Sequence, residues 1–120
     1  MTVTDPSSPT IGERLASLAA QEPDRPAITC AGASVTRGQL ERRTNRLARA
    51  YLAAGVTQDS LVTIGLPNGV EFLESAIAVW KCGATPQPVS SRLPRPEREA
   101  IIALAEPTLV VGVDPSEVTG

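Results

Sequence analysis

Between Leu61 and Leu93 the chain reads LVTIGLPNGVEFLESAIAVWKCGATPQPVSSRL, and that run leaves little freedom in how it folds. Leu61, Val62, Ile64 and Leu66 make a short apolar run of the kind found in a strand buried on both faces. Pro67, Asn68 and Gly69 break it, and the spacing that follows predicts a helix from about Val70 to Cys82. Gly83 closes that helix, and Ala84 to Val89 form a second extended run. Strand, helix and strand at this spacing make a βαβ unit with a right-handed crossover. The rest of the chain reads as material packed on this unit.

The helix at its centre is apolar around most of its circumference, through Phe72, Leu73, Ala76, Ile77, Val79 and Trp80. A helix of that composition is expected to be covered on more than one side, which 120 residues alone would struggle to arrange. Glu71, Glu74 and Ser75 leave one narrow polar strip. Paired carboxylates serve acid–base chemistry or metal binding. In the first helical turn they more simply complement the helix dipole, with Asn68 as the expected cap.

The flanking segments follow in order. Residues 1–9 are rich in Ser, Thr and Pro and are expected to form a flexible arm. Thr10 and Glu13 have the spacing of a capping box, and Ile11, Leu15, Leu18 and Ala19 extend a helix to about Gln21. Pro23 and Pro26 stop it. Ala27–Cys30 and Ser34–Thr36 read as two short strands joined by Ala31-Gly32-Ala33, a hairpin. A helix is expected from Arg37 to Ala54, with Leu40, Leu47 and Tyr51 on one side and Arg42, Arg46 and Arg49 opposite. The arginine stripe admits a phosphate or nucleic-acid surface, but Glu41 among it and the lack of interleaved aromatics favour an ordinary solvated face.

Ala84–Val89 is expected to be an edge strand or an extended segment, because Pro86 and Pro88 each remove an amide donor. Pro94-Arg95-Pro96 opens a last helix whose apolar face is Ile101, Ile102, Leu104 and Ala105. Pro107 ends it, and Leu109–Val113 is a final buried strand. The expected organisation is an α/β lobe over 10–113, a helix and a short hairpin followed by β-α-β-α-β with a mainly parallel sheet. Residues 114–120 are read as a tail or an artificial terminus.

Composition excludes more than it assigns. A net charge of −2 gives no electrostatic reason to bind nucleic acid, and Tyr51, Phe72 and Trp80 are the only aromatics, too few for base stacking. Histidine is absent, which removes the commonest general base and metal ligand. Cys30 and Cys82 are too few and too far apart for a zinc site or a disulfide framework. The N-terminus lacks the basic and apolar regions of a signal peptide, and no apolar run approaches a membrane span. A cytoplasmic location is expected.

The phrase LPNG, then EF and an alanine, a lysine and GA at regular intervals, then PVSSRLP, resembles the opening of the AMP-forming acyl-CoA synthetases. That adenylating superfamily also holds firefly luciferase and the adenylation domains of nonribosomal peptide synthetases. The likeness runs from about Thr10 to Val113, and WKCGATPQPVSSRLP is most similar to bacterial ligases of the bile-acid or fatty-acid type. It implies an enzyme that uses ATP and magnesium to turn a carboxylic acid into an acyl-adenylate, then transfers the acyl group to coenzyme A. The family's Ser/Thr/Gly-rich adenylate loop, its ribose-binding aspartate and its C-terminal lysine are not among these 120 residues. No catalytic or metal-binding residue is therefore expected here, and the remainder of the synthetase is the expected partner.

Arg92 is the one candidate. The turn PVSSRLP matches the family's P-x-NPRLP, and in some members that arginine meets a phosphate of coenzyme A. A guanidinium stays charged and offers paired donors to phosphate oxygens. The competing reading is a surface arginine that terminates the strand or pairs with Glu97. Ser90 and Ser91 depart from the Pro and Asn that relatives often carry. Two other functions stay open: an amino-acid-activating domain that serves a carrier protein, and a free-standing non-catalytic α/β binding module. A severed lobe is further expected to hide its exposed core by self-association.

Overall fold

The computed structural model describes residues 10–30 and 32–113; the expected arm, the residue at the hairpin turn's start and the tail lie outside them. The element order is α1 (Ile11–Gln21), β1 (Pro26–Cys30), β2 (Ala33–Thr36), α2 (Arg37–Ala53), β3 (Leu61–Ile64), α3 (Val70–Lys81), β4 (Thr85–Pro88), α4 (Arg95–Ala105) and β5 (Leu109–Val111). The β1–β2 hairpin is antiparallel, and β4-β3-β5 form a separate, all-parallel sheet. The expected α/β fold and its mainly parallel sheet are what the chain adopts.

The two prolines of β4 show how covalent chemistry fixes a strand's place. Thr85 and Val89 donate their amides to Ser60 and Ile64. Pro86 and Pro88, at the alternate positions, take the side of the strand that points away from β3. The missing donors fall where no strand pairs with β4 among the described residues, and of the two expected forms it takes the edge strand.

On one face of the sheet lie Val62 and Ile64, both at 0% exposure, packed with Tyr51, Val56, Ala78, Val79 and Cys82. Leu40 and Tyr51 of α2 point inward, and Arg42, Arg46 and Arg49 are exposed on the opposite side, as their spacing predicts. The apolar residues of α4 are not all covered. Ile102 is buried, but Ile101 and Leu104 are exposed, Leu104 at 88%.

Three local expectations need correction. The capping box sits on α2 rather than α1: Thr36 accepts from the Gln39 amide while the Gln39 side chain accepts from the Thr36 amide. At α1, Thr10 accepts from the Glu13 amide, and no return bond from Glu13 is found among the described residues. Asn68 does not cap α3; the cap position is Gly69, in extended backbone with no side-chain bond. The polar strip of α3 is divided: Glu71 is exposed, and the rest of the strip does not take the solvent side that its polarity suggests. Glu74 and Ser75 are buried, whereas Leu73 and Trp80 are 41% and 45% exposed.

The inward strip is satisfied by α2. Arg43 donates to Glu74 at 3.3 Å, and the Tyr51 hydroxyl donates to Ser75 Oγ at 3.2 Å. Lys81 Nζ donates to Glu41 Oε1, and to Thr44 Oγ1 and Asn45 Oδ1 at 2.8 Å each. Its side chain is 9% exposed and that of Glu41 17%. Buried charge is tolerable only when paired in this way.

Candidate functional site

Parallel α/β sheets offer ligands a crevice beyond the carboxyl ends of their strands. In this chain a cleft of about 540 Å³ lies there. The β3–α3 connection supplies Leu66, Pro67 and Asn68, and α3 adds Phe72. The opposite wall is the β4–α4 turn, from Pro88 through Ser90 and Ser91 to Arg92. The resulting wall is apolar at its base and polar at its lip.

Arg92 is exposed, and its guanidinium makes no hydrogen bond or ion pair among the described residues. It does not pair with Glu97. Its backbone is fixed instead: the Arg92 amide donates to Ser90 Oγ at 3.2 Å, and the Leu93 amide to the Ser90 carbonyl at 3.3 Å. The turn has a second fastening that sequence reasoning missed. Arg98, in the first turns of α4, donates to the Leu93 carbonyl at 2.7 Å and to the Ser91 carbonyl at 3.3 Å. The only advance signal was an arginine one helical turn past Pro94, where it faces the segment entering the helix.

A donor fork on a braced turn suits an anion with several oxygens, such as a phosphate. Acid–base chemistry has no comparable candidate. Glu74 is committed to Arg43, and Glu71 lines a different cavity of about 550 Å³, between α2, α3 and Val111. Among the described residues no three His, Cys, Asp or Glu side chains come together as a metal site. Cys30 and Cys82 are both free thiols; burial pushes the Cys82 thiol up, and its Sγ lies 3.4 Å from the Ala48 carbonyl. No helix of the described residues is long and apolar enough to cross a membrane.

The comparison that decides the family is a match to AMP-binding enzymes over residues 15–119. The chain belongs to that family. Its relatives are adenylate-forming ligases, and they fall on both sides of the acceptor question. Over 77 residues it is 38% identical to the 2,3-dihydroxybenzoate-AMP ligase of Bacillus subtilis (strain 168), covering 64% of this chain and 14% of that protein. Surfactin synthase subunit 1 of the same organism is 31% identical over 97 residues, which is 81% of this chain and 3% of the synthase. The fold recurs in the N-terminal domain of FACL13 from Mycobacterium tuberculosis, with a TM-score of 0.78 and 28% identity over 86% of this chain. This AMP-binding chain thus spans only 26% of that domain, and smaller shares of both curated relatives.

Proposed function

We propose that this chain is the opening section of an acyl-CoA synthetase. The whole enzyme would activate a carboxylate with ATP, releasing pyrophosphate and leaving an acyl-adenylate. The thiol of coenzyme A would then displace AMP and take the acyl group. In this reading the chain supplies scaffold and one wall of the approach to coenzyme A, and Arg92 binds a phosphate of that cofactor. ATP and its magnesium would be handled by parts of the enzyme outside these residues. The observation that carries the reading is the uncommitted Arg92 guanidinium at the lip of the strand-end cleft, on a turn braced by Ser90 and Arg98.

The test is Arg92→Ala in the full-length enzyme. One lost charge-assisted contact is expected to raise the KM for coenzyme A about tenfold. Pyrophosphate exchange, which needs no coenzyme A, should stay at the parent rate. An unchanged KM for coenzyme A removes Arg92 from the site. The 31% identity to surfactin synthase subunit 1 favours a second reading, an amino-acid-activating domain that hands its product to a carrier protein. Under it coenzyme A supports no turnover at any concentration, whereas a thiol-bearing carrier protein does.

A further inference from the structure

The outer face of α3 is inverted relative to an ordinary surface helix. At 100° per residue Val70, Leu73, Ile77 and Trp80 fall within an arc of about 80°. Leu73 and Trp80 are exposed and Val70 and Ile77 half-buried, while the polar Glu74 and Ser75 of the same helix are turned in. Spacing of i, i+3, i+7 and i+10 is what a helix needs to lie against another packed element. No charge of α3 interrupts the stripe: Lys81 is held by Glu41, Thr44 and Asn45, Glu74 by Arg43, and the exposed Glu71 lies about 100° round the helix from Val70, outside the arc. A continuous apolar stripe of this kind marks a contact surface, and its lack of charge calls for an uncharged apolar occupant.

The likeness to solved structures indicates which occupant. Most of this chain, 86%, superimposes on only 26% of the FACL13 N-terminal domain, so about three-quarters of that domain is further polypeptide around the shared part. We infer that the Val70–Leu73–Ile77–Trp80 stripe is the seam on which the remainder of the same domain packs, contributed in cis by the longer polypeptide. The inference rests on the reading of this chain as part of a larger adenylating enzyme.

Trp80, the single tryptophan of the 120 residues, reports on the seam. Hydroxyl-radical footprinting read by peptide mass spectrometry would follow its oxidation in the 120-residue chain and in the full product of the same reading frame. At low protein concentration Trp80 should oxidise readily in the short chain, and several-fold more slowly in the long one. Equal rates in the two overturn the proposal, as does a reading frame that closes after Gly120. Protection that appears in the short chain as its concentration rises, with none in the long product at low concentration, assigns the stripe to a second copy and overturns it too. Pyrophosphate exchange by the long product separates the two questions. Exchange with Trp80 unprotected sinks the seam alone, and protection without exchange sinks the proposed activity alone.

Discussion

The two faces of the parallel sheet are held by different means. On one, α2 and α3 are joined by contacts between residues far apart in sequence: Lys81 with Glu41, 40 positions away, Glu74 with Arg43, 31 away, and Tyr51 with Ser75, 24 away. On the other, α4 is held chiefly by its own neighbourhood. Arg98 ties its first turns to the preceding carbonyls, Arg95 pairs with Glu99 one turn on, and Ile102 alone of its residues is buried. Non-local contacts give a tertiary layer that unfolds as one unit. Local ones give an element whose outer side is open to further packing.

The largest way to break this contrast is Lys81→Met. It removes the cation, leaves the mostly buried Glu41 carboxylate with no charge to balance it, and takes from Thr44 Oγ1 and Asn45 Oδ1 the donor they share. The expected cost is about 3 kcal/mol, read as a lower urea midpoint with an unchanged slope. Pairing it with Glu41→Leu should recover much of the loss, since an apolar pair leaves no orphaned charge. A midpoint that barely moves in Lys81→Met would mean that α2 and α3 are joined by apolar packing alone.

A smaller effect separates the two thiols. Cys82 is buried beside the Ala48 carbonyl, and Cys30 is half-buried on the hairpin. Under native conditions Cys30 should be alkylated first, and Cys82 only at the rate of unfolding. Because burial raises the Cys82 pKa, the folded state holds the proton that the unfolded chain gives up. That stabilisation is complete below the ordinary thiol pKa of about 8.5 and is lost as pH rises through the higher folded value. The urea midpoint of the parent should therefore fall faster above that pH than that of Cys82→Ala. Parallel pH curves, or equal alkylation rates, would place Cys82 in open solvent.

These contrasts also show where sequence was legible. β4 was kept out of the sheet's interior by Pro86 and Pro88 alone, because a missing N–H needs no knowledge of the partner strand. The inward side of α2 followed from Leu40, Leu47 and Tyr51, although the polar Thr44 is buried in the same arc. The orientation of α3 did not follow. Hydrophobic patterning assumes that polar residues face water, and Glu74, Ser75 and Lys81 defeat it through partners on α2 that periodicity does not see. Capping was misplaced for a related reason. Thr10/Glu13 and Thr36/Gln39 have the same spacing, and only local geometry selects the second pair for the reciprocal bonds. At the site, Arg92 was found through a family motif, whereas Arg98 acts on backbone carbonyls and leaves no motif.

The smallest expected effect tests the open side. Leu104 is 88% exposed on α4, so its side chain gains almost nothing from burial within this chain. Leu104→Ser should change stability by no more than about 0.5 kcal/mol, as surface substitutions do, and should lower binding of a hydrophobic dye. A loss well beyond that, measured by urea unfolding at low protein concentration, would mean that Leu104 is covered within the single chain. The two faces of the sheet would then be equally closed. Neutrality with weaker dye binding leaves α4 as the layer with an uncovered apolar side, beside the exposed Leu73 and Trp80 of α3 on the other face.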